Sequence, residues 1–152
     1  MEIYRYIIKE RLINKSSDFL YNLWTSKDGL NLFFSVDNNI EIKPLGKYEI
    51  FFSLEEPYGL RGSEGCQVLS YIPKQMFSFT WNNPPSLKDL RESGYHTWVV
   101  ITFTEMEENE TLMRFVNYGY PLDEKWDKSY QYFNRAWDYV LNNLTKVCEK
   151  KN

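Results

Sequence analysis

The chain has a single histidine, His96, and two cysteines, Cys66 and Cys148, in 152 residues. One histidine cannot supply a two-histidine metal site, and it leaves little scope for a histidine-dependent catalytic triad. The cysteines lie far apart without CxxC spacing, so two reduced thiols are expected. We expect His96 at the surface and Cys66 as a buried, inert thiol. The sequence therefore predicts no catalytic residues, no metal site and no cofactor.

Basic stripes and long apolar runs are also missing. Lys and Arg number 18 against 21 Asp and Glu, a formal net charge of −3, so no nucleic-acid partner is expected. No apolar run approaches the roughly eighteen residues of a membrane helix, and residues 1–12 alternate charge and apolarity too closely for a signal-peptide core. We expect a cytoplasmic protein without a membrane partner. The sequence does not indicate the oligomeric state.

Aromatic residues are the class present in excess. They make up 18% of the chain, whereas its hydrophobic share of 43% and charged share of 26% are ordinary for a globular protein. A chain of this length builds one domain whose core needs no disulfide or metal. We therefore expect a single domain, residues 1–152, with an enlarged aromatic interior.

The last thirty residues carry the clearest pattern. Their apolar side chains recur at steps of three and four, which places them on one face of an α-helix. These residues are Trp126, Tyr130, Phe133, Trp137, Leu141 and Leu144. Asp123 caps the end where negative charge suits the helix dipole. The pattern predicts a helix from about Asp123 to Glu149, roughly 40 Å long at 1.5 Å per residue.

The remaining chain predicts a strand, two short helices and six further strands. Residues 2–13 mix β-branched, aromatic and charged side chains as a strand does, and capping residues then introduce two helices that end near Ser35. From residue 37 to 118 the apolar period is two. Gly119 to Pro121 is expected to end the sheet. This order predicts an α+β fold with an antiparallel sheet covered on one face.

The longest predicted loop, residues 82–94, is polar and rich in turn formers. At about a dozen residues it exceeds most hairpin loops, and it is the best candidate for a mobile lid.

Several short motifs occur along the chain in a characteristic order. They are Leu20-x-x-Leu23-Trp24-Thr25 with Leu30, then Gly46-Lys47-Tyr48, then Gly65 followed by Pro73 and Phe77-Ser78-Phe79-Thr80-Trp81, and finally Ala136-Trp137. Together they resemble the START-like helix-grip superfamily, and within it the branch named for the activator of heat-shock protein 90 ATPase. The chain departs from the family pattern at Leu45, where a glycine is frequent, and at Asn117, where a histidine is common.

The resemblance implies a helix-grip fold: a curved, seven-stranded antiparallel sheet wrapped on the long C-terminal helix, with two short helices after strand one. It also implies a cavity or groove between sheet and helix that can hold an apolar molecule. Alternation along the strands, with Lys47 and Glu49 facing water, selects the strand residues that would line it, and the apolar face of the last helix supplies the others. They are Tyr48, Phe52, Phe79, Trp81, Val99, Ile101, Phe115, Asn117, Trp126, Tyr130, Phe133 and Trp137.

The same aromatic residues have two interpretations. They can form a ligand cavity, with Asn117, Tyr118, Tyr130 and the indole nitrogens orienting the ligand, or they can fill the interior as ordinary core. Arg61 and Glu64, near the expected cavity mouth, are the one polar pair that suggests a functional role.

Three function hypotheses follow from different classes. The first is a non-catalytic protein that binds or senses a small hydrophobic molecule. The alternative is a co-chaperone-like interaction module that docks on a chaperone partner through the outer face of the sheet. A further alternative is a cyclase or hydrolase like some relatives, although the sequence indicates no buried ionisable group for it.

Overall fold

The structure, a computed structural model, describes residues 3–150 and confirms the α+β class. Its strands are β1 (Tyr4–Ile13), β2 (Asp37–Ile40), β3 (Tyr48–Phe51), β4 (Val68–Ile72), β5 (Met76–Trp81), β6 (Thr97–Glu107) and β7 (Glu110–Pro121). Its helices are α1 (Ser17–Thr25), α2 (Lys27–Phe34), α3 (Lys88–Glu92) and α4 (Asp127–Glu149). The short helix α3 lies within the predicted loop and was not expected.

The strands form two sheets, so the prediction of one seven-stranded sheet is wrong. Five strands pair antiparallel in the order β1-β7-β6-β5-β4, and β2 pairs with β3 in a separate hairpin. Isolated bridges join Lys47 with Gln67 and Phe51 with Gly62, and the Tyr48 ring of β3 packs on Phe79 of β5, so the two sheets are in contact without forming one continuous ladder. Between β3 and β4 the chain follows a loop in which Gly65 has a φ of +86°. This left-handed backbone interrupts the extended path that continuous pairing would need.

Strand β3 is buried on both faces, which corrects the expectation that Glu49 faces water. Glu49 is only 2% exposed. The Tyr58 hydroxyl donates to both of its carboxylate oxygens, at 2.7 and 2.9 Å, and the Gly65 N–H donates to it at 2.9 Å. The loop after β3 thus folds back over the outer face of the strand. Phe52, predicted to point inward from this strand, lies just beyond its end and is 48% exposed.

Helix α4 ends at Glu149 as predicted but begins at Asp127, four residues later than expected. A 3-10 turn, Glu124–Trp126, precedes it, and Asp123 caps that turn by accepting the Lys125 N–H at 3.1 Å. One face of α4 is buried and carries Phe133, Trp137, Leu141, Leu144 and Cys148. The helix is about 35 Å long at 1.5 Å per residue.

Ion pairs attach α4 to strand β1. Arg5 contacts Asp127 at 2.7 Å. The acidic side chains of this helix face are thereby used within the fold.

Strand β7 continues through Gly119, so the prediction that the sheet ends there is wrong. Gly119 has a φ of +93°, and a Cβ added to it would lie 2.4 Å from the Trp98 ring. Only glycine fits this close approach. Beyond it, Tyr120 pairs with Arg5 and Pro121 pairs with Tyr4. Within residues 3–150, none of the helices has the length and apolarity needed to cross a bilayer.

Candidate functional site: an aromatic groove beside helix α4

Most of the predicted cavity residues pack on one another. Tyr48 and Phe79 have ring centroids 4.4 Å apart, and Phe115 and Trp137 have centroids 4.5 Å apart. Such separations are direct ring contacts. The predicted residues Tyr48, Phe79, Val99, Ile101, Phe115 and Asn117 are all fully buried. In this part of the interior, the side chains themselves occupy the space between sheet and helix.

Asn117 uses its whole hydrogen-bonding capacity inside the protein. Its amide nitrogen donates to the Thr97 hydroxyl and to the Trp98 carbonyl, both at 3.1 Å. Its amide oxygen accepts the Tyr120 hydroxyl at 2.6 Å and the Trp137 indole N–H at 3.0 Å. Two donated and two accepted bonds saturate a primary amide. Asn117 therefore joins β6, β7 and α4 and has no bonding site left for a ligand.

Two other predicted residues, Trp126 and Tyr130, lie at the N-terminal end of α4. The Trp126 ring packs on Tyr95 with centroids 5.3 Å apart. The Tyr130 hydroxyl donates to the Tyr6 carbonyl at 3.2 Å, and the Arg5 guanidinium lies 4.8 Å from the Tyr130 ring centroid. These contacts tie α4 to the sheet.

The remaining four predicted residues, Phe52, Trp81, Phe133 and Trp137, line an open groove of about 700 Å³. The groove runs between α2, the loop after β3, the segment after β5 and α4. Its other lining residues are Phe33, Phe34, Ser53, Leu60, Arg61, Gly62, Asn82, Pro84, Pro85, Tyr132, Arg135, Ala136, Tyr139 and Val140. This volume is within the range of small-molecule sites, roughly 300–1,000 Å³.

The groove has an aromatic floor and an exposed aromatic rim. Phe34, at the end of α2, contacts both Trp137 and Phe52, with centroids 6.4 and 6.0 Å apart. The Trp81 ring packs against the Trp137 ring at a tilt of 49°, with centroids 5.0 Å apart. At the rim, Tyr139 is 71% exposed. The floor is held by the core, whereas the rim is open to solvent.

Trp81 adds one unpaired polar atom beside this floor. Its buried indole nitrogen has no hydrogen-bond partner among residues 3–150, whereas the equivalent nitrogen of Trp137 is bonded to Asn117. Most buried donors in proteins are paired, so an unpaired one next to a groove is unusual.

On the α4 side of this groove the sequence pattern predicted Phe133 and Trp137 but missed five further residues. Tyr132, Ala136 and Val140 follow one another at four-residue steps, and Arg135 and Tyr139 lie beside them. These residues lie on the helix face next to the buried, strongly apolar face of α4. The spacing of apolar residues identifies only the buried face. The aromatic side chains on this second face were the signal that could have identified it.

A polar cluster lies next to the groove, around the Glu64 carboxylate. The side chain of Glu64 is only 5% exposed. It accepts backbone N–H groups from Gly59, from Arg61 at 2.8 Å and from Gly62 at 2.5 Å. The suspected pair of Arg61 and Glu64 is thus made by the Arg61 backbone, and the guanidinium that approaches Glu64 belongs to Arg91, at 3.4 Å.

Arg91 attaches the predicted lid to the rest of the protein. From helix α3 it donates to three backbone carbonyls: Gly62 at 2.8 Å, Asn83 at 2.6 Å and Gly59 at 2.7 Å. Arg91 and Gly59 also line a second groove of about 730 Å³, together with Glu64 and His96. The loop of residues 82–94 is therefore hydrogen-bonded to the loop after β3. Its mobility stays a prediction.

Neither candidate nucleophile nor candidate base is activated. Burial raises the pKa of the Cys66 thiol to about 12, so the thiolate is disfavoured. His96 is half-buried, in contrast to the surface position expected for it. Burial and the nearby Arg91 charge both lower the pKa of His96, which favours its neutral form.

Glu64 gives the protein a distinct pH dependence. Burial alone would raise the pKa of its carboxyl, but the backbone N–H donors outweigh burial and hold the pKa below the ordinary value of 4.5. Its contribution to stability is therefore complete above about pH 4.5 and is lost as the pH falls through the folded-state pKa. We expect Glu64→Gln to lower the free energy of unfolding near neutral pH. The difference in that free energy between variant and wild type should become smaller as the pH is lowered. Urea unfolding near pH 7 and near pH 3 measures this effect. An undiminished difference at the lower pH would contradict it.

Comparison with known families places the chain. Residues 15–149 match the family model described as Activator of Hsp90 ATPase homolog 1-like protein. The chain belongs to this family. Its START-like fold and its relation to the activator branch, indicated by the sequence motifs, are confirmed. A comparison with curated proteins found no match.

Solved structures share this fold at low sequence identity. A protein from Mesorhizobium loti is 17% identical with a TM-score of 0.76, and the match covers 97% of this chain and 99% of the other. The Aha1 dimer from Colwellia psychrerythraea is 22% identical with a TM-score of 0.66, covering 95% and 96%. An HSP90 activator from Plasmodium falciparum is 15% identical with a TM-score of 0.70, covering 96% of each chain. At these identities the likeness concerns the fold.

Proposed function

We propose that this family member is a non-catalytic binding protein that holds a small apolar molecule in the aromatic groove beside α4. The observation that carries the proposal is the groove itself: about 700 Å³, with a floor of packed aromatic side chains and an open rim. The site differs from the interior cavity expected from the sequence. It shares with that cavity Phe52, Trp81, Phe133 and Trp137.

The floor of the groove supports an apolar ligand on energetic grounds. Transfer of apolar surface out of water contributes about 25 cal/mol per Å². The Trp81 and Trp137 rings are held in place by the core, so little side-chain ordering opposes binding. A flat, apolar molecule can therefore gain from burial without first rearranging the floor.

The charged side chains of the groove support binding over catalysis. They are Arg61 and Arg135, whose guanidinium groups donate hydrogen bonds but offer no atom that can accept a proton. Cys66 is buried with a raised pKa and is not among the groove's lining residues. The groove thus has groups that position a ligand and no evident general base.

A second candidate is a docking role on a chaperone, as the description of the Plasmodium falciparum relative as an HSP90 activator suggests. The feature that favours it is a row of aromatic side chains across the outer face of the sheet. Tyr6 and Tyr118 have centroids 6.0 Å apart, and Trp98 stacks on Tyr118 at 6.1 Å. This row lies on the face opposite to α4, so the two candidates use separate surfaces.

The groove proposal is tested by a titration with N-phenyl-1-naphthylamine, an uncharged dye that fluoresces in apolar surroundings. The wild-type protein is expected to bind it saturably. Ala136→Trp places a large ring in the groove from α4 and is expected to weaken binding by at least about tenfold, equivalent to 1.4 kcal/mol.

The matched control is Gln131→Trp, which adds the same ring at an exposed position of α4 that does not line the groove. It should bind the dye as wild type does. Circular dichroism and urea unfolding verify that both variants are folded. Absence of saturable binding to wild type, or equal binding by both variants, would overturn the proposal.

A further inference from the structure

The groove combines an apolar floor with charge of one sign. Its lining contains Arg61 and Arg135 and neither aspartate nor glutamate. The chain as a whole carries a formal net charge of −3. The local excess of positive charge is thus opposite to the charge of the protein.

Arg135 has no carboxylate partner. It is exposed on α4, and no acidic side chain of residues 3–150 lies within ion-pair distance of it. Two acidic groups of that helix are paired with strand β1 instead: Asp127 with Arg5, and Asp138 with Lys9. The Arg135 guanidinium is therefore left for solvent or for a ligand.

Arg61 is similarly unneutralised, although it is better fixed. Its Nε donates to the Glu56 carbonyl at 2.7 Å, which restrains the side chain at the groove. The neighbouring Glu64 carboxylate is bound by backbone N–H groups and approached by Arg91, and its side chain forms no ion pair with Arg61. A restrained guanidinium without a counter-ion is well suited to a planar oxyanion.

We propose that the groove selects amphipathic anions, which lay their apolar body on the aromatic floor and bind a carboxylate at the rim through Arg61 and Arg135. This inference rests on the proposed binding function and adds the chemical class of the ligand. The apolar lining, in which Phe52, Tyr132 and Tyr139 are exposed, contributes affinity in proportion to the apolar surface that the ligand covers. The arginines supply a smaller, salt-dependent preference for the anion, since exposed charge pairs are screened.

The test compares decanoate with decanol, which share an alkyl chain and differ in the charge of the head group. Each displaces N-phenyl-1-naphthylamine from wild-type protein. The double variant Arg61→Gln/Arg135→Gln is expected to bind decanoate about fivefold more weakly than wild type and to bind decanol with unchanged affinity. Raising the salt concentration should lower the affinity of the wild-type protein for decanoate and have little effect on the affinity of the variant.

The control variant is Arg114→Gln, which removes one positive charge, as Arg135→Gln does, from an exposed position of β7 that is not part of the groove. It should bind both ligands as wild type does. The single variant Arg135→Gln, at an exposed helix position, keeps the test available if the double variant is unstable. If the arginine substitutions change the affinity for both ligands equally, or leave the affinity for decanoate unchanged, the anion preference is overturned. Saturable dye binding in that case still supports the groove as a binding site. Failure of the dye itself to bind overturns the proposed function.

Discussion

Trp137→Ala is expected to lower the free energy of unfolding by about 3–5 kcal/mol, the range for removal of a large buried aromatic side chain. Trp137 is 1% exposed and contacts Phe115 and Trp81, with centroids 4.5 and 5.0 Å apart. Its removal leaves a cavity at the contact between α4 and the sheet. It also leaves the Asn117 amide oxygen without one of its two donors. Urea unfolding followed by circular dichroism measures the loss.

Tyr139→Ala is the matched control for this prediction. Tyr139 lies two residues further along the same helix and is largely exposed, so its removal should change stability by no more than about 0.5 kcal/mol. A loss below about 1 kcal/mol for Trp137→Ala would show that the buried face of α4 does not hold the fold together.

Asn117→Leu is expected to cost about 3 kcal/mol, although it puts an apolar side chain in a buried position. The substitution leaves the Tyr120 hydroxyl and the Trp137 indole N–H without an acceptor, and each unsatisfied buried group costs about 1–3 kcal/mol. It also removes the two bonds that Asn117 donates to β6. The measurement is again the free energy of unfolding in urea.

A double-mutant cycle separates this hydrogen-bond effect from packing. Trp137→Phe removes the indole N–H that Asn117 accepts, so Asn117→Leu should cost less in that background than in wild type. Strictly additive costs would contradict the assignment of Asn117 as the hydrogen-bonding centre between β7 and α4.

The parts of the fold that the sequence predicts well depend on local periodicity. Helix α4 is clear because apolar residues from Phe133 to Leu144 repeat at steps that match a helix over several turns. The burial of Glu49 could not be predicted in this way. Alternation places Glu49 opposite Tyr48, but only the complete fold shows that the loop carrying Tyr58 covers that face.

The division into two sheets has a similar cause. Each predicted hairpin exists, yet pairing between β3 and β4 depends on the path of sixteen intervening residues, 52–67, and on the left-handed conformation at Gly65. The groove also depends on long-range geometry. Its width is set by where the end of α2 meets α4, and Phe34 and Tyr139 are 105 positions apart in the sequence.

The most direct test of the groove proposal uses the indole N–H signals of the tryptophans in a two-dimensional proton–nitrogen spectrum, recorded during titration with N-phenyl-1-naphthylamine. Trp81 and Trp137 line the groove, whereas Trp98 stacks on Tyr118 on the outer face of the sheet. We expect saturable shifts of the Trp81 and Trp137 signals and an unchanged Trp98 signal. A shift of Trp98 with no response from Trp81 and Trp137 would contradict it and place the apolar binding surface on the outer face.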